Sequence, residues 1–256
     1  VVLNRTALDA EVIWHDLECG GYRADLPLWR ELAGSQASQD RAATVLDIGA
    51  GTGRVALELA GAGHRLTALD HSPRLLGALS DRARQAGVKI ETALADARRF
   101  ELAHQGFDLC LVPMQTLQLL RGATERRALF AAARTHLRPG GLLACAIVTD
   151  VDPFDSRAGE LGPSPERATI AGGTYLSRAV RLQCLDRFIR IERERLVMPA
   201  DTRERVPAEI DVIELERLDE LELWAEGRAE DLLPEPTLTI AETDEHSGSE
   251  VVILRA

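Results

Sequence analysis

At 256 residues with 45% hydrophobic content, the chain can bury a full core, and its length suits one α/β domain or a domain with a modest insertion. Thirty Lys and Arg against 41 Asp and Glu leave a formal net charge of −11. That balance argues against a partner held chiefly through phosphate contacts, so no nucleic acid is expected. Cys19, Cys110, Cys145 and Cys184 form no CxxC or Cys/His cluster, so neither a metal site nor a disulfide framework is signalled and a reducing cytoplasm fits. No leader pattern and no bilayer-length apolar run is evident, so a soluble protein with no membrane partner is expected.

In chain order, Ala7 to Ala33, with Trp14, Tyr22 and Trp29, reads as one or two helices covering the carboxyl edge of a sheet. From Ala43 to about Thr149 short apolar runs alternate with helical patterns, as βαβ units feeding a parallel sheet require. The spacing predicts strands at 44–47, 66–69, 88–92, 107–112 and 142–148, and helices at 55–60, 73–86 and 123–137. Ser72 and Pro73 supply an N-cap and a residue suited to the first helical position. Arg138-Pro139-Gly140-Gly141 cannot continue a helix and predicts a turn that launches the fifth strand. Beyond Asp150, the pairs Asp152-Pro153, Gly162-Pro163 and Gly172-Gly173 mark an irregular connection. Alternating segments at 174–183, 188–197 and 209–215 then predict an antiparallel meander. A helix at 218–232 and strands at 237–241 and 250–254 would complete the main sheet.

The expected fold class is therefore α/β, a mostly parallel sheet with helices on both faces plus an antiparallel β insertion after strand five. The expected organisation is an N-terminal helical cap (1–42), a ligand-binding core (43–150), a connection with the insertion (151–217), and a C-terminal helix with the last two core strands (218–256).

The chemistry-bearing signal begins where the first strand runs into the turn Asp47-Ile48-Gly49-Ala50-Gly51-Thr52-Gly53 and then into a helix. Glycines there let backbone N–H groups approach a ligand that side chains would block. The Gly49-x-Gly51-x-Gly53 spacing lacks the extra residue that the dinucleotide fingerprint has before its last glycine. Asp70 ends the second strand 17 residues beyond Gly53, close to the position of a ribose-binding acid, where one carboxylate can accept both hydroxyls.

This turn, with Asp47 two positions before Gly49, resembles motif I of the class I S-adenosylmethionine (SAM)-dependent methyltransferases, and Leu69-Asp70-His71-Ser72-Pro73 is similar to their second motif. The resemblance spans four βα junctions from Asp47 to Leu117, and the Pro-Gly-Gly turn extends it to about Thr149. It implies a Rossmann-like core, SAM as cofactor, and a small-molecule acceptor methylated at O, N or C. The implied cofactor-binding residues include Asp47, Gly49, Ala50, Gly51, Gly53 and Asp70. His71 would lie beside the adenine, Asp96 and Ala97 would take its amino group, and Pro113 and Met114 would line the methionine portion. Tyr22 is the candidate aromatic over the cofactor, with Arg23 a partner for the methionine carboxylate. His71 reads equally as a solvent-facing loop histidine, Met114 and Leu117 equally as packing under a loop, and Tyr22 slightly more readily as a structural anchor of the N-terminal helix than as a ligand contact.

Methyl transfer asks little of side chains, because the sulfonium is already an excellent leaving group and alignment supplies most of the rate. A base is the one group such a site often needs. His15, His71, His104, His136 and His246 are scattered, and the sequence places none of them over a methyl group, so no catalytic residue is assigned. His136 suits a helix C-terminus and His246 a turn. The charged meander from Arg178 to Glu216 reads as a lid, an oligomer surface or a solvated face. Two other functions stay open. One is a nicotinamide-dependent oxidoreductase, although Lys89, the single lysine, has no tyrosine near it to form a Tyr-x-x-x-Lys relay. The other is a non-catalytic SAM-binding or assembly protein.

Overall fold

A computed structural model describes residues 10–170, 173–199, 209–243 and 246–256. Ala7, Gly172, Asp244 and Glu245, used in the sequence reading, lie outside the described residues, as do parts of the cap and insertion segments. In chain order the elements are α1 (Ala10–Cys19), α2 (Leu26–Gln36), β1 (Thr44–Ile48), α3 (Arg54–Gly61), β2 (Arg65–Asp70), α4 (Pro73–Ala86), β3 (Ile90–Leu94) and β4 (Phe107–Val112). A 3₁₀ turn (Thr116–Leu119), α5 (Gly122–His136), β5 (Leu137–Ile147), β6 (Phe154–Asp155), a 3₁₀ turn (Ser156–Ala158) and β7 (Glu166–Ile170) follow. The remainder is β8 (Gly173–Cys184), β9 (Phe188–Pro199), β10 (Glu209–Glu216), α6 (Glu220–Arg228), β11 (Leu233–Ile240) and β12 (Ser249–Arg255). The chain divides into two compact units, one made of residues 22–150 and 218–256, the other of the described parts of 1–21 and 151–217.

The larger unit is a seven-stranded sheet in the order β11-β12-β5-β4-β1-β2-β3. β1 to β5 are mutually parallel, and β12 and β11 add antiparallel to β5. Because strand side chains alternate, the sheet builds two cores. Val45, Leu109, Leu111 and Ala144 face a cluster with Trp29 and Leu32 of α2, Val55 and Leu59 of α3, and Leu76 and Leu79 of α4. Leu46, Ile48, Cys110 and Leu143 face the other, with Leu129 and Phe130 of α5 and Leu223 of α6. Continuous burial on both faces explains why β1 and β4 are largely apolar, broken by Thr44 and Asp47 in the first and Asp108 in the second. The expected α/β class with helices on both faces is what the structure has.

Three local differences have physical causes. β3 starts at Ile90, two residues later than the pattern suggests, because Gly87 (φ +68°) and Val88 close α4, donating to Arg84 and Ala83 carbonyls in a Schellman arrangement. The Arg138-Pro139-Gly140-Gly141 segment is a bulge within β5 rather than a turn before it. The register with β4 jumps from Phe107↔Leu137 to Leu109↔Leu142 there, and Gly140 N–H and Gly141 C=O bond Ala256. Finally, α2 packs on the α3 face through its apolar stripe, so the segment reaching the carboxyl edge is the one before it, Tyr22 to Asp25.

The smaller unit is an antiparallel sheet in the order β10-β9-β8-β6, with β7 also paired to β8. α1 lies on it through Trp14, which meets Tyr175 edge-on at 5.4 Å. The Glu18 carboxylate accepts two bonds from Arg195 at 2.7 Å each and one from Ser177 Oγ at 2.8 Å. Burial raises the Glu18 pKa, and its hydrogen bonds with Arg195 and Ser177 outweigh that and lower it overall.

Candidate active site

In an open parallel sheet, ligands bind beyond the strands' carboxyl ends where strand order reverses, and here that point lies between β1 and β4. Gly49, Gly51 and Gly53 follow β1 with φ of +75°, +55° and +92°, backbone that only glycine adopts without strain. Gly49 and Ala50 N–H groups donate to Leu69 C=O at 2.8 and 3.0 Å, stitching the turn to the end of β2. Asp70 completes the stitch: one carboxylate oxygen accepts from Gly51 N–H at 2.8 Å, the other from Ser72 N–H at 2.9 Å. Two of these glycines are also demanded by packing. A Cβ on Gly49 would come within 2.5 Å of Thr116 Cγ2, and one on Gly53 within 2.7 Å of Leu79 Cγ.

Asp47, the next-to-last residue of β1, is 1% exposed, and neither carboxylate oxygen has a hydrogen-bond partner among the described residues. Burial pushes its pKa up to about 7; the Arg54 charge opposes the rise, whereas Asp70 and Asp25 add to it. Arg54 does not bond Asp47, since its guanidinium is committed to Asp25 in a two-pronged pair and to Tyr22 C=O at 3.0 Å. Asp25 also accepts from Trp29 Nε1 at 2.7 Å.

This clamp holds Tyr22 at the edge. The Arg54 guanidinium carbon is 5.2 Å from the Tyr22 ring centre, and the buried Tyr22 hydroxyl has no partner among the described residues. Burial raises the pKa of that hydroxyl. On the ring lies His246, centroid to centroid 4.9 Å. Its loop precedes β12, whose Glu250 pairs with Ile147 at the carboxyl end of β5, so His246 belongs to the same edge as the glycine turn.

After β4, Pro113 is buried and Met114 takes φ +54°, a left-handed conformation costly for a residue with a Cβ. Thr116 Oγ1 donates to Pro113 C=O at 3.1 Å. Gln118, fully buried, bridges Val148 with its amide, donating to C=O at 3.0 Å and accepting from N–H at 2.8 Å. The loop is thereby fastened to β5 on one side and wedged into Gly49 on the other.

The remaining predicted residues lie further out. Asp96 is half-exposed and grips Arg98, with Nη2 at 2.7 Å and Nε at 2.9 and 3.2 Å; these bonds hold its pKa down to about 2. Ala97 is half-buried against the α5-side core. The His71 side chain is 87% exposed, its Nδ1 3.4 Å from Asp70 Oδ1. Arg23 is exposed, and it is Arg54 that forms the buried ion pair. Sequence reading missed Asp25, Arg54, Thr116, Gln118 and the placement of His246. The four-residue spacing of Asp25 and Trp29 and the position of Arg54 directly after Gly53 were the available signals.

A cavity of about 490 Å³ lies at the opposite, amino-terminal edge, lined by residues of the αβ loops such as His64, Arg65, Lys89 and His104. It is remote from the turn in topology. Among the described residues no group of three His, Cys, Asp or Glu could hold a metal ion.

These features define a Rossmann-like α/β fold with a glycine turn at the β1/β4 switch. Residues 45–141 match the family described as "Methyltransferase domain". A ubiquinone biosynthesis O-methyltransferase from Aromatoleum aromaticum is 32% identical over 98 residues, 38% of this chain. The match spans 40% of that relative's length. Among solved structures, a sugar N-methyltransferase from Streptoalloteichus sp. aligns over 100% of this chain and 96% of its own, with TM-score 0.71 and 19% identity. An amino pentose methyltransferase from Micromonospora echinaspora, solved with SAM bound, aligns over 99% of this chain and 100% of its own, with TM-score 0.65 and 22% identity. At such identities the likeness is one of fold.

Proposed function

We propose that the chain is a SAM-dependent methyltransferase that methylates a small molecule. The observation that carries this reading is Asp47: a buried carboxylate with no hydrogen-bond partner among the described residues, at the turn where a class I cofactor would bind. An unpaired buried charge costs several kcal/mol, about as much as a well-placed cation recovers, so the site suits a ligand with an ammonium group such as the methionine end of SAM. Asp70 supports it further. With one lone pair of each oxygen held by Gly51 and Ser72, the carboxylate is fixed in orientation and keeps acceptor capacity for two ribose hydroxyls.

In this reading Asp47 binds the ammonium, Asp70 the ribose, and Tyr22 covers the cofactor. Gly49, Ala50, Gly51, Gly53, Pro113 and Met114 line its methionine side. His71, Asp96 and Ala97 border the adenine, where the Asp96 carboxylate would have to share its bonds with Arg98. Bound SAM would supply an electrophilic methyl group on a sulfonium. The protein's own part is to hold acceptor and cofactor in line and to exclude water.

The acceptor is a small molecule rather than nucleic acid, consistent with the charge of −11. No helix among the described residues is long and apolar enough to cross a membrane, and none of the four cysteines is in a disulfide, which accords with a cytoplasmic setting. Calorimetry with S-adenosylhomocysteine (SAH) and with NAD tests the reading. Binding of SAH and not NAD is expected; no heat and no thermal stabilisation with millimolar SAH would overturn it.

A further inference from the structure

The cavity at the amino-terminal edge of the parallel sheet lies away from the glycine turn and has the make-up of a ligand pocket of its own. Its volume of about 490 Å³ falls within the range that small-molecule pockets take. Four segments converge on it: the end of α3 with the loop into β2, the start of β2, the α4–β3 loop, and the connection from β3 to β4. Parallel strands are ordinarily joined through a crossover helix. Residues 95–106, which join β3 to β4, contain none, and Glu91 and Thr92 of β3 are exposed.

The lining divides by chemistry. Ala60, Leu66, Val88 and Phe107 give it apolar surface, with His104 edge-on to Phe107 at 4.8 Å. Arg65 and Lys89, the chain's single lysine, bring two fixed positive charges to the same cavity. Arg41, Arg98, Arg126 and Arg138 are spent on ion pairs. Arg65 and Lys89 make no ion pair or side-chain hydrogen bond among the described residues. Glu91 is the one acid in the lining, and Asp108, next to Phe107 in the chain, is already closed off by Arg41 and Arg138. His64 adds an imidazole kept neutral by burial, which lowers its pKa, and its buried Nδ1 has no partner among the described residues. Clefts lined by one sign of charge concentrate the opposite ion, and this one is cationic on a chain of net charge −11.

We propose that this cavity is a second ligand site that takes a small organic anion, its apolar body against Leu66 and Phe107 and its carboxylate or phosphate oxygens on Arg65 and Lys89. A guanidinium presents paired donors that match two such oxygens, and an ammonium follows them as a mobile point charge. Because the cavity and the glycine turn sit at opposite ends of the strands, both can be occupied at once. The proposal does not rest on the SAM-dependent reading.

Calorimetry at pH 8 and low salt with phenyl phosphate, inorganic phosphate and benzyl alcohol tests it on wild type, Arg65→Gln, Lys89→Gln and Arg127→Gln. Arg65 and Lys89 are exposed, so their exchange should leave the melting temperature unchanged. Arg127, in a surface pair with Glu230, controls for the mere loss of one positive charge. Phenyl phosphate is expected to bind wild type with a Kd of about 1 mM or below, and inorganic phosphate and benzyl alcohol at least about tenfold more weakly. Arg65→Gln and Lys89→Gln should each weaken phenyl phosphate by about three- to tenfold, and Arg127→Gln by less than about twofold. Saturating SAH should leave the phenyl phosphate affinity within about twofold. Absence of binding to wild type, wild-type affinity in both cavity variants, or equal affinity for phenyl phosphate and either simpler probe overturns the proposal. Displacement by SAH would place the anion at the glycine turn and overturn it too. A wild type that binds phenyl phosphate but not SAH overturns the methyltransferase reading and leaves this one standing.

Discussion

Two aspartates buried in the same parallel sheet, one at each edge, are treated in opposite ways. Asp108, on β4 at the amino-terminal edge, is inaccessible to solvent and accepts from Thr44 N–H at 2.8 Å and Thr44 Oγ1 at 2.7 Å. Arg41 and Arg138 close around it as ion pairs. Burial raises its pKa, and those bonds outweigh burial and hold it well below the usual carboxylate range. Asp47, at the carboxyl edge, is as deeply buried and has no such partner. Folding alone would favour removing or pairing a charge placed that way. Its place where the strand order reverses separates an edge whose buried charge is paired from one whose buried charge is not, the contrast on which the proposed ligand site rests.

The contrast is sharpest for Asp108→Ala, which strips both arginines of their anion. Urea unfolding should show a loss of about 3–4 kcal/mol, with SAH affinity unchanged within twofold. Because the native pKa of Asp108 lies below its unfolded value, its contribution is present above about pH 4 and is lost as pH falls further. The variant should therefore lack part of the wild type's acid-unfolding limb.

Asp47→Asn should do the reverse. SAH affinity is expected to fall about 30- to 100-fold, roughly 2–3 kcal/mol, in calorimetry. The unliganded variant should be more stable than wild type at pH 8, on the order of 1–3 kcal/mol. The sign follows from a folded pKa of about 7 against an ordinary 3.8. The native state binds the proton more tightly, so stability declines as pH rises from about 4 to 7, and the asparagine removes that decline. A variant no more stable at pH 8 than wild type would erase the distinction between the two edges.

Smaller effects test the packing of the carboxyl edge. Gly53→Ala places a Cβ against Leu79 at φ +92° and should cost about 1–2 kcal/mol in thermal unfolding. Tyr22→Phe removes a buried hydroxyl with no described partner and should leave unliganded stability unchanged or raise it by up to about 1 kcal/mol. A loss above 1 kcal/mol would mean that the hydroxyl has a partner in solution.

The residues legible in advance were those whose signal is local. Glycines at positive φ, an acid closing each of β1 and β2, Ser72 capping α4 and alternating burial along β8 and β9 are properties of short windows, and reading such windows located the turn and the order of elements. The bulge at Pro139 to Gly141 looked like a turn because proline and glycine exclude helix in either case; pairing with β4 and Ala256 made it part of a strand.

What only tertiary structure decided is which distant groups meet. The Asp25–Arg54 pair joins residues 29 apart, Gln118 reaches Val148 30 residues on, and Thr116 fills the space that Gly49 leaves. His246 reaches Tyr22 because β12 runs antiparallel into the carboxyl end of β5. Local sequence determined that a glycine turn ends β1 and that Asp47 precedes it. That the aspartate would be buried without a partner among the described residues, its nearby arginine engaged by Asp25, depended on long-range packing, because a carboxylate's state follows from everything folded around it.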